Sequence, residues 1–228
     1  MSNKIRSKKS DQELQIEEVL SKSEMFFQNY GKKIIITIAV LIISVGGFFA
    51  YNSFVKLPAG EKAVNSIYVA QQYFAAGDME TALNGDENNL GFVQIATEFS
   101  GTSVANIANH YAGICYLNLG DYESAIAALK DYSHVDGTAS IVINAQNFGL
   151  IGDAYAQLKD SKNAISFYAK AYSFDNSLTA PYYLKKAGLL KLAGADKAGA
   201  KECFDKVKTN YFGSLEGRDI EKYIGQCL

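Results

Sequence analysis

Apolar and polar positions along this chain fall into three regimes. In the first 33 residues, Leu14, Ile16, Val19, Leu20, Phe26, Phe27 and Tyr30 recur at mostly helical spacing, with Glu17, Glu18, Lys22 and Glu24 between them. Ser10 and Glu13 have the form of a capping box. The tail therefore predicts a short amphipathic helix, resting on a membrane surface or docked to a membrane partner. The second regime is IIITIAVLIISVGGFFAYNSFV, residues 34–55, which carries no charge. At about 1.5 Å of rise per residue it is long enough to cross a hydrocarbon core of about 30 Å. The third, from residue 63 to the end, shows helical patterning rich in Ala, Leu and Tyr, and strand-type alternation is scarce. An all-α domain follows a linker at 56–62.

The apolar run predicts a retained transmembrane helix. A cleaved signal has a shorter apolar core and ends in small residues, whereas this run ends FFAYNSF. Gly46 and Ala50 form a small-xxx-small pair, with Gly47 beside them, that lets another helix approach closely. No ionisable residue lies inside the run, which argues against a pump or an ion path. Phe48, Phe49, Tyr51 and Phe54 gather toward its far end, as an interfacial aromatic belt does. Lys4, Arg6, Lys8, Lys9, Lys22, Lys32 and Lys33 precede it; Lys56 and Lys62 follow, and then no Lys or Arg occurs until Lys130. Basic flanks stay in the cytoplasm. The tail is expected inside and the large domain outside, which in a bacterium means the periplasm.

The domain repeats itself. NHYAGICYLNLGDYESAIAALKDY, Asn109 to Tyr132, places Ala112 and Gly113 at a close-packed site and Tyr116 three residues on. Gly120, Asp121 and Tyr122 form a turn, and Ala125 marks a helix crossing. This is the tetratricopeptide pattern of paired helices. It returns with Phe148, Ile151, Gly152, Tyr155, Ala164, Tyr168 and Ala171, and again with Leu184, Ala187, Gly188, Ala200, Phe204 and Val207. A degenerate first copy holds Ala70, Tyr73, Gly77 and Ala82. Repeats are expected near 63–105, 106–144, 145–180 and 181–214, with a capping helix over 215–228. Residues 84–91 and 133–140 are expected as lengthened loops.

First helices line the binding face of such solenoids. The inward positions are expected to be Ile67, Gln71 and Phe74; His110, Ile114 and Asn118; Gln146, Asp153 and Gln157; and Tyr182, Lys185 and Leu189. The mixture is apolar and neutral-polar and suits a peptide or protein surface. Residues 63–129 hold seven acidic residues and no Lys or Arg, while 130–228 hold thirteen basic and eleven acidic ones. A basic partner and simple solubility both account for that. The net charge of −2 gives no argument for nucleic acid.

No enzyme is expected. His110 and His134 are the two histidines, and no HExxH, GxSxG or glycine-rich phosphate loop occurs. Neither a catalytic set, a metal site, a cofactor nor a small-molecule substrate is expected. Cys115, Cys203 and Cys227 make an odd count without CxxC, so no disulfide framework is indicated. A Cys203–Cys227 pair stays open.

The layout resembles the YfgM-like ancillary subunits of the bacterial SecYEG translocon. The strings that carry the likeness are FFQNYGKK, Phe26 to Lys33, YNS, Tyr51 to Ser53, and ATEFSGTSVANIANHYAGICYLNLGDYESAIAAL, Ala96 to Leu129. The resemblance implies an inner-membrane protein with one N-terminal helix and a periplasmic repeat domain. It implies a non-catalytic role beside SecYEG, helping exported proteins pass to a membrane-anchored periplasmic chaperone. A structural scaffold for outer-membrane or cell-wall assembly is the alternative reading.

Overall fold

A 21-residue apolar helix, α1 (Tyr30–Ala50), opens the described part of the chain. The computed structural model describes residues 30–50 and 57–228. The chain divides into two units, Met1–Pro58 and Ala59–Leu228. In the first unit α1 reaches a mean hydropathy of 2.3, long and apolar enough to cross a membrane. The Thr37 hydroxyl donates to the Lys33 carbonyl at 2.9 Å, so it stays satisfied without water. Gly46 and Gly47 have open space where a Cβ would stand. The tail helix expected after Ser10 and the far end of the expected span, residues 51–55, lie outside the described residues.

The second unit is a stack of helical hairpins. Helix α2 (Leu57–Ala75) packs in one core with α3 (Met79–Asn84), α4 (Phe92–Glu98) and α5 (Ser103–Leu119). Hairpins α5 with α6 (Tyr122–Asp131), α7 (Ile141–Gln157) with α8 (Ser161–Tyr172), and α9 (Ala180–Ala193) with α10 (Lys197–Asn210) follow. A 3₁₀ turn, Glu216–Asp219, then leads into α11 (Ile220–Gln226), which lies on α10. No strand occurs among the described residues.

Each second helix starts from the same local chemistry. Asp78, Asp121, Asp160 and Asp196 are the N-caps, and each carboxylate accepts the backbone N–H three residues on, from Thr81, Ser124, Asn163 and Gly199. An aspartate there satisfies an orphan donor and complements the helix dipole. The cap positions recur 43, 39 and 36 residues apart. Hydrogen bonding to the first-turn residues holds Asp78 and Asp121 below the usual carboxylate range.

Within each hairpin the helices touch through glycine. A Cβ on Gly113 would fall 2.3 Å from Leu129, one on Gly152 2.6 Å from Tyr168, and one on Gly188 2.4 Å from Phe204. Ala125, Ala164 and Ala200 sit fully buried across the same crossings. One small residue opposite one large one lets the two backbones close without leaving a void.

Residues 85–91 interrupt what would be the first hairpin's second helix, leaving α3 and α4 on either side. Gly85 and Leu90 pair across the break in an antiparallel bridge. Asp86 organises the loop: its carboxylate accepts the backbone N–H of Asn88 and Asn89 and the Tyr73 hydroxyl, at 2.7, 2.8 and 2.5 Å. The Tyr73 contact, more than the others, draws the Asp86 carboxyl far below its ordinary range.

Both histidines meet at the joint between the second and third hairpins. Asn147 Nδ2 donates to the Leu129 carbonyl at 2.8 Å, which leaves its Oδ1 to accept from His110 Nδ1 at 2.9 Å. That assigns the proton to Nδ1 in neutral His110. Tyr132 stands between the imidazoles, 5.5 Å from His110 and 5.8 Å from His134, and His134 stacks on Phe148 at 4.2 Å. Burial lowers the pKa of His110, against a smaller opposing effect of Asn147. Burial and then Lys170 lower that of His134. The fold thus disfavours the imidazolium, while the unfolded chain takes up protons near pH 6.5. This stabilisation is complete above pH 6.5 and drains as pH falls below it. The melting temperature is expected to fall between pH 7 and 5, before the carboxylates titrate. His134→Phe should flatten that fall, and a pH-independent melting temperature over this range would contradict the account.

The three thiols are sealed. Cys115, Cys203 and Cys227 are free and buried, and burial pushes the Cys115 thiol up to about 12. Cys203 and Cys227 lie in one apolar cluster, where the Cys227 thiol contacts the Tyr223 carbonyl at 3.3 Å.

Candidate protein-binding groove

Counting back from each cap aspartate sets the first helices in register. Eleven residues before the cap stand Ile67, His110, Gly149 and Lys185; the first three are buried in the stack and Lys185 is half-buried. Positions fourteen before, Val64, Ile107, Gln146 and Tyr182, and seven before, Gln71, Ile114, Asp153 and Leu189, are partly or well exposed. Asn118 and Gln157, three before, are exposed. The open stripe therefore gathers Gln71, Ile114, Asn118, Gln146, Asp153, Gln157, Tyr182 and Leu189. Ile67 and His110 belong to the packing between helices. Phe74 is half-buried, edge-on to Phe92 and Tyr111 at 6.3 and 5.2 Å.

The stripe deepens toward its C-terminal end into two adjoining depressions of about 350 and 340 Å³. Asp153, Gln157, Tyr168, Lys186 and Leu189 line one; Tyr182, Lys185, Lys186, Leu189, Leu215 and Glu216 line the other. Asp153 is the pivot. Its Oδ1 accepts the Tyr168 hydroxyl at 2.7 Å and the Lys186 ammonium at 2.7 Å. Burial works against the charge on Lys186, but Asp153 outweighs it, and the pKa stands above the ordinary lysine value. Burial first and the Asp153 charge second push the Tyr168 phenol well up, so it donates and does not ionise. Lys186 also lies 4.6 Å over the Tyr182 ring. Lys185 is tied to Asp219 at 2.6 Å and sits 4.8 Å over Tyr223.

The groove is thus lined by polar groups fixed to one another and by open apolar side chains. Lys186, Tyr168, Leu215 and Glu216 were not among the expected inward positions. Lys186 has a signal in the sequence, one turn beyond Tyr182 on the same helix face. Tyr168 comes from a second helix, and Leu215 and Glu216 from the approach to the cap, so first-helix phase alone does not reach them. Among the described residues, no group of three His, Cys, Asp or Glu is placed to hold a metal ion.

Residues 108–133 and 145–177 each match a family model described as tetratricopeptide repeat. The chain contains tetratricopeptide repeats. No curated protein matches it. Among solved structures, MamA 41-end from Desulfovibrio magneticus RS-1 is 18% identical at a TM-score of 0.53, over 80% of this chain and 96% of that one. The MamA RS-1 ArsTM double mutant is 18% identical at 0.52, over 83% and 94%. A crystal structure of MamA is 16% identical at 0.51, over 70% and 92%. At such identities the likeness is one of fold. A stack of tetratricopeptide hairpins is a protein-binding scaffold, and α7 and α9 supply the first-helix walls of its groove.

Proposed function

We propose that this chain is a non-catalytic, single-pass protein of the bacterial inner membrane that binds exported proteins beside the SecYEG translocon and helps pass them to a membrane-anchored periplasmic chaperone. The observation that carries this reading is the pairing of one membrane-length apolar helix with a tetratricopeptide domain that has a lined groove. The resemblance to the YfgM-like subunits supplies the partners. The lysine-rich flank before α1 supports a cytoplasmic N-terminus and a periplasmic domain. The anchor would raise the effective concentration of a binding surface at the exit site, turning bimolecular capture into a local event.

Photo-cross-linkers at Gly46 in α1 and at Tyr182 in the groove test this reading in membranes. Adducts of the first to translocon subunits and of the second to newly exported proteins are expected. Adducts confined to cell-wall or outer-membrane machinery would favour a scaffold of that complex instead. Protease added to intact spheroplasts should digest the repeat domain; protection until lysis would invert the topology.

A further inference from the structure

We propose that the C-terminal part of the groove takes an extended apolar segment that carries a positive charge, its aliphatic or aromatic side chains on Tyr182, Leu189 and Leu215 and its Lys or Arg on Glu216. The inference rests on the protein-binding reading and specifies the chemistry of what is bound.

Three large apolar side chains are left open along this stretch: Leu215 is 70% exposed, Tyr182 42% and Leu189 37%. Tyr182 and Leu189 lie seven residues apart, two turns along one face of α9, and Leu215 closes the far side from the turn before the cap. Such a row, rimmed by polar groups, is where a partner's side chains gain most from leaving water.

Charge decides what accompanies them. Both lysines of the groove are already neutralised within the chain, Lys185 by Asp219 at 2.6 Å and Lys186 by Asp153 at 2.7 Å. An incoming carboxylate would have to displace one of these carboxylates. Glu216 lines the same depression and forms no ion pair among the described residues. Asp153 and Asp219 are each held by a groove lysine, and Lys222, which also acts on Asp219, lies off the lining, so Glu216 is the carboxylate on that lining left open to a partner. The half of the stack that holds the groove is close to neutral, with thirteen basic and eleven acidic residues over 130–228, whereas residues 63–129 carry seven carboxylates and no Lys or Arg. A segment entering from that side passes through negative potential, which favours a cationic partner in both encounter and register.

The full chain in lipid nanodiscs can be titrated with two fluorescent peptides, each alternating leucine and serine, one with a central lysine and the other with glutamate. The lysine peptide is expected to bind about three- to fivefold more tightly, the scale of a partly exposed ion pair. Glu216→Lys should reverse the order. Tyr182→Ala and Leu215→Ser should each weaken both peptides, by about tenfold if they are central anchors; both sites are exposed, and circular dichroism checks that the variants are folded. Equal affinities, a preference for glutamate, or an order unmoved by Glu216→Lys would overturn the proposal. So would binding insensitive to Tyr182→Ala and Leu215→Ser, or concentration-dependent self-association abolished by Tyr182→Ala, which would make a second copy the occupant. Loss of translocon cross-links would sink the proposed location and leave this charge preference standing, so the two fail separately.

Discussion

Phe204→Ala is expected to lower the unfolding free energy of the repeat domain by about 3–5 kcal/mol, the range for truncating a fully buried aromatic. In a domain of this size that corresponds to about 6–20 °C in melting temperature. Phe204 has no exposed surface and touches three parts of the last hairpin and its cap. Its ring fills the space over Gly188. It lies 5.6 Å from the Tyr223 ring of α11. Around it Val207, Ala187 and Ile220 are likewise sealed. The residues that would have to collapse into the hole come from α9, α10 and α11, each fixed by other contacts, so relaxation is limited and the upper half of the range applies. Thermal unfolding followed by circular dichroism measures the effect. A fall below about 1 kcal/mol would mean that the cap does not close the stack through this ring.

The second large effect lies between hairpins. Gly149→Ala is expected to destabilise by about 2–3 kcal/mol, as overpacking of a rigid contact does. A Cβ at Gly149 would stand 1.9 Å from Cζ of Tyr183. The ring has little room to retreat: Tyr183 is 4% exposed, stacked on Tyr168 at 5.9 Å and edge-on to Tyr182 at 5.1 Å. Relief must come from sliding α7 and α9 apart, which disturbs the groove built on both helices. Tyr183→Leu removes the clashing ring atoms. The double variant should therefore be more stable than the sum of the two single effects predicts, and strict additivity would show that the contact is not the cause.

Much of this fold can be read from the residue pattern because the pattern and the contacts are the same thing. Gly113, Gly152 and Gly188 recur in the sequence because a large side chain recurs opposite them. Asp78, Asp121, Asp160 and Asp196 announce helix starts by chemistry that acts over three residues. The 85–91 segment is legible as extra length, but its closure on Asp86 depends on Tyr73, a partner outside the loop. The groove is harder to read. A first helix in a stack is buried on two sides, against its own partner and against the next hairpin, so its open stripe is narrow. Three residues, and a phase difference of only about 60° around the helix, separate Gln146 on that stripe from Gly149 in the packing. Apolar character does not resolve it: Ile67 lies inside and Ile114 on the stripe, although both are isoleucine. The polar pivot Asp153 is recognisable as a first-helix position, yet its role comes from Tyr168 and Lys186, 15 and 33 residues away.

The sealing of Cys115, Cys203 and Cys227 has a practical side. With all three native thiols buried, a cysteine placed at an exposed position such as Leu215 or Tyr68 offers a thiol-specific reagent its one accessible target. Spin labels, dyes or membrane-impermeant maleimides can thus be attached to the unaltered background, and native sulfurs left in the chain keep its interior filled.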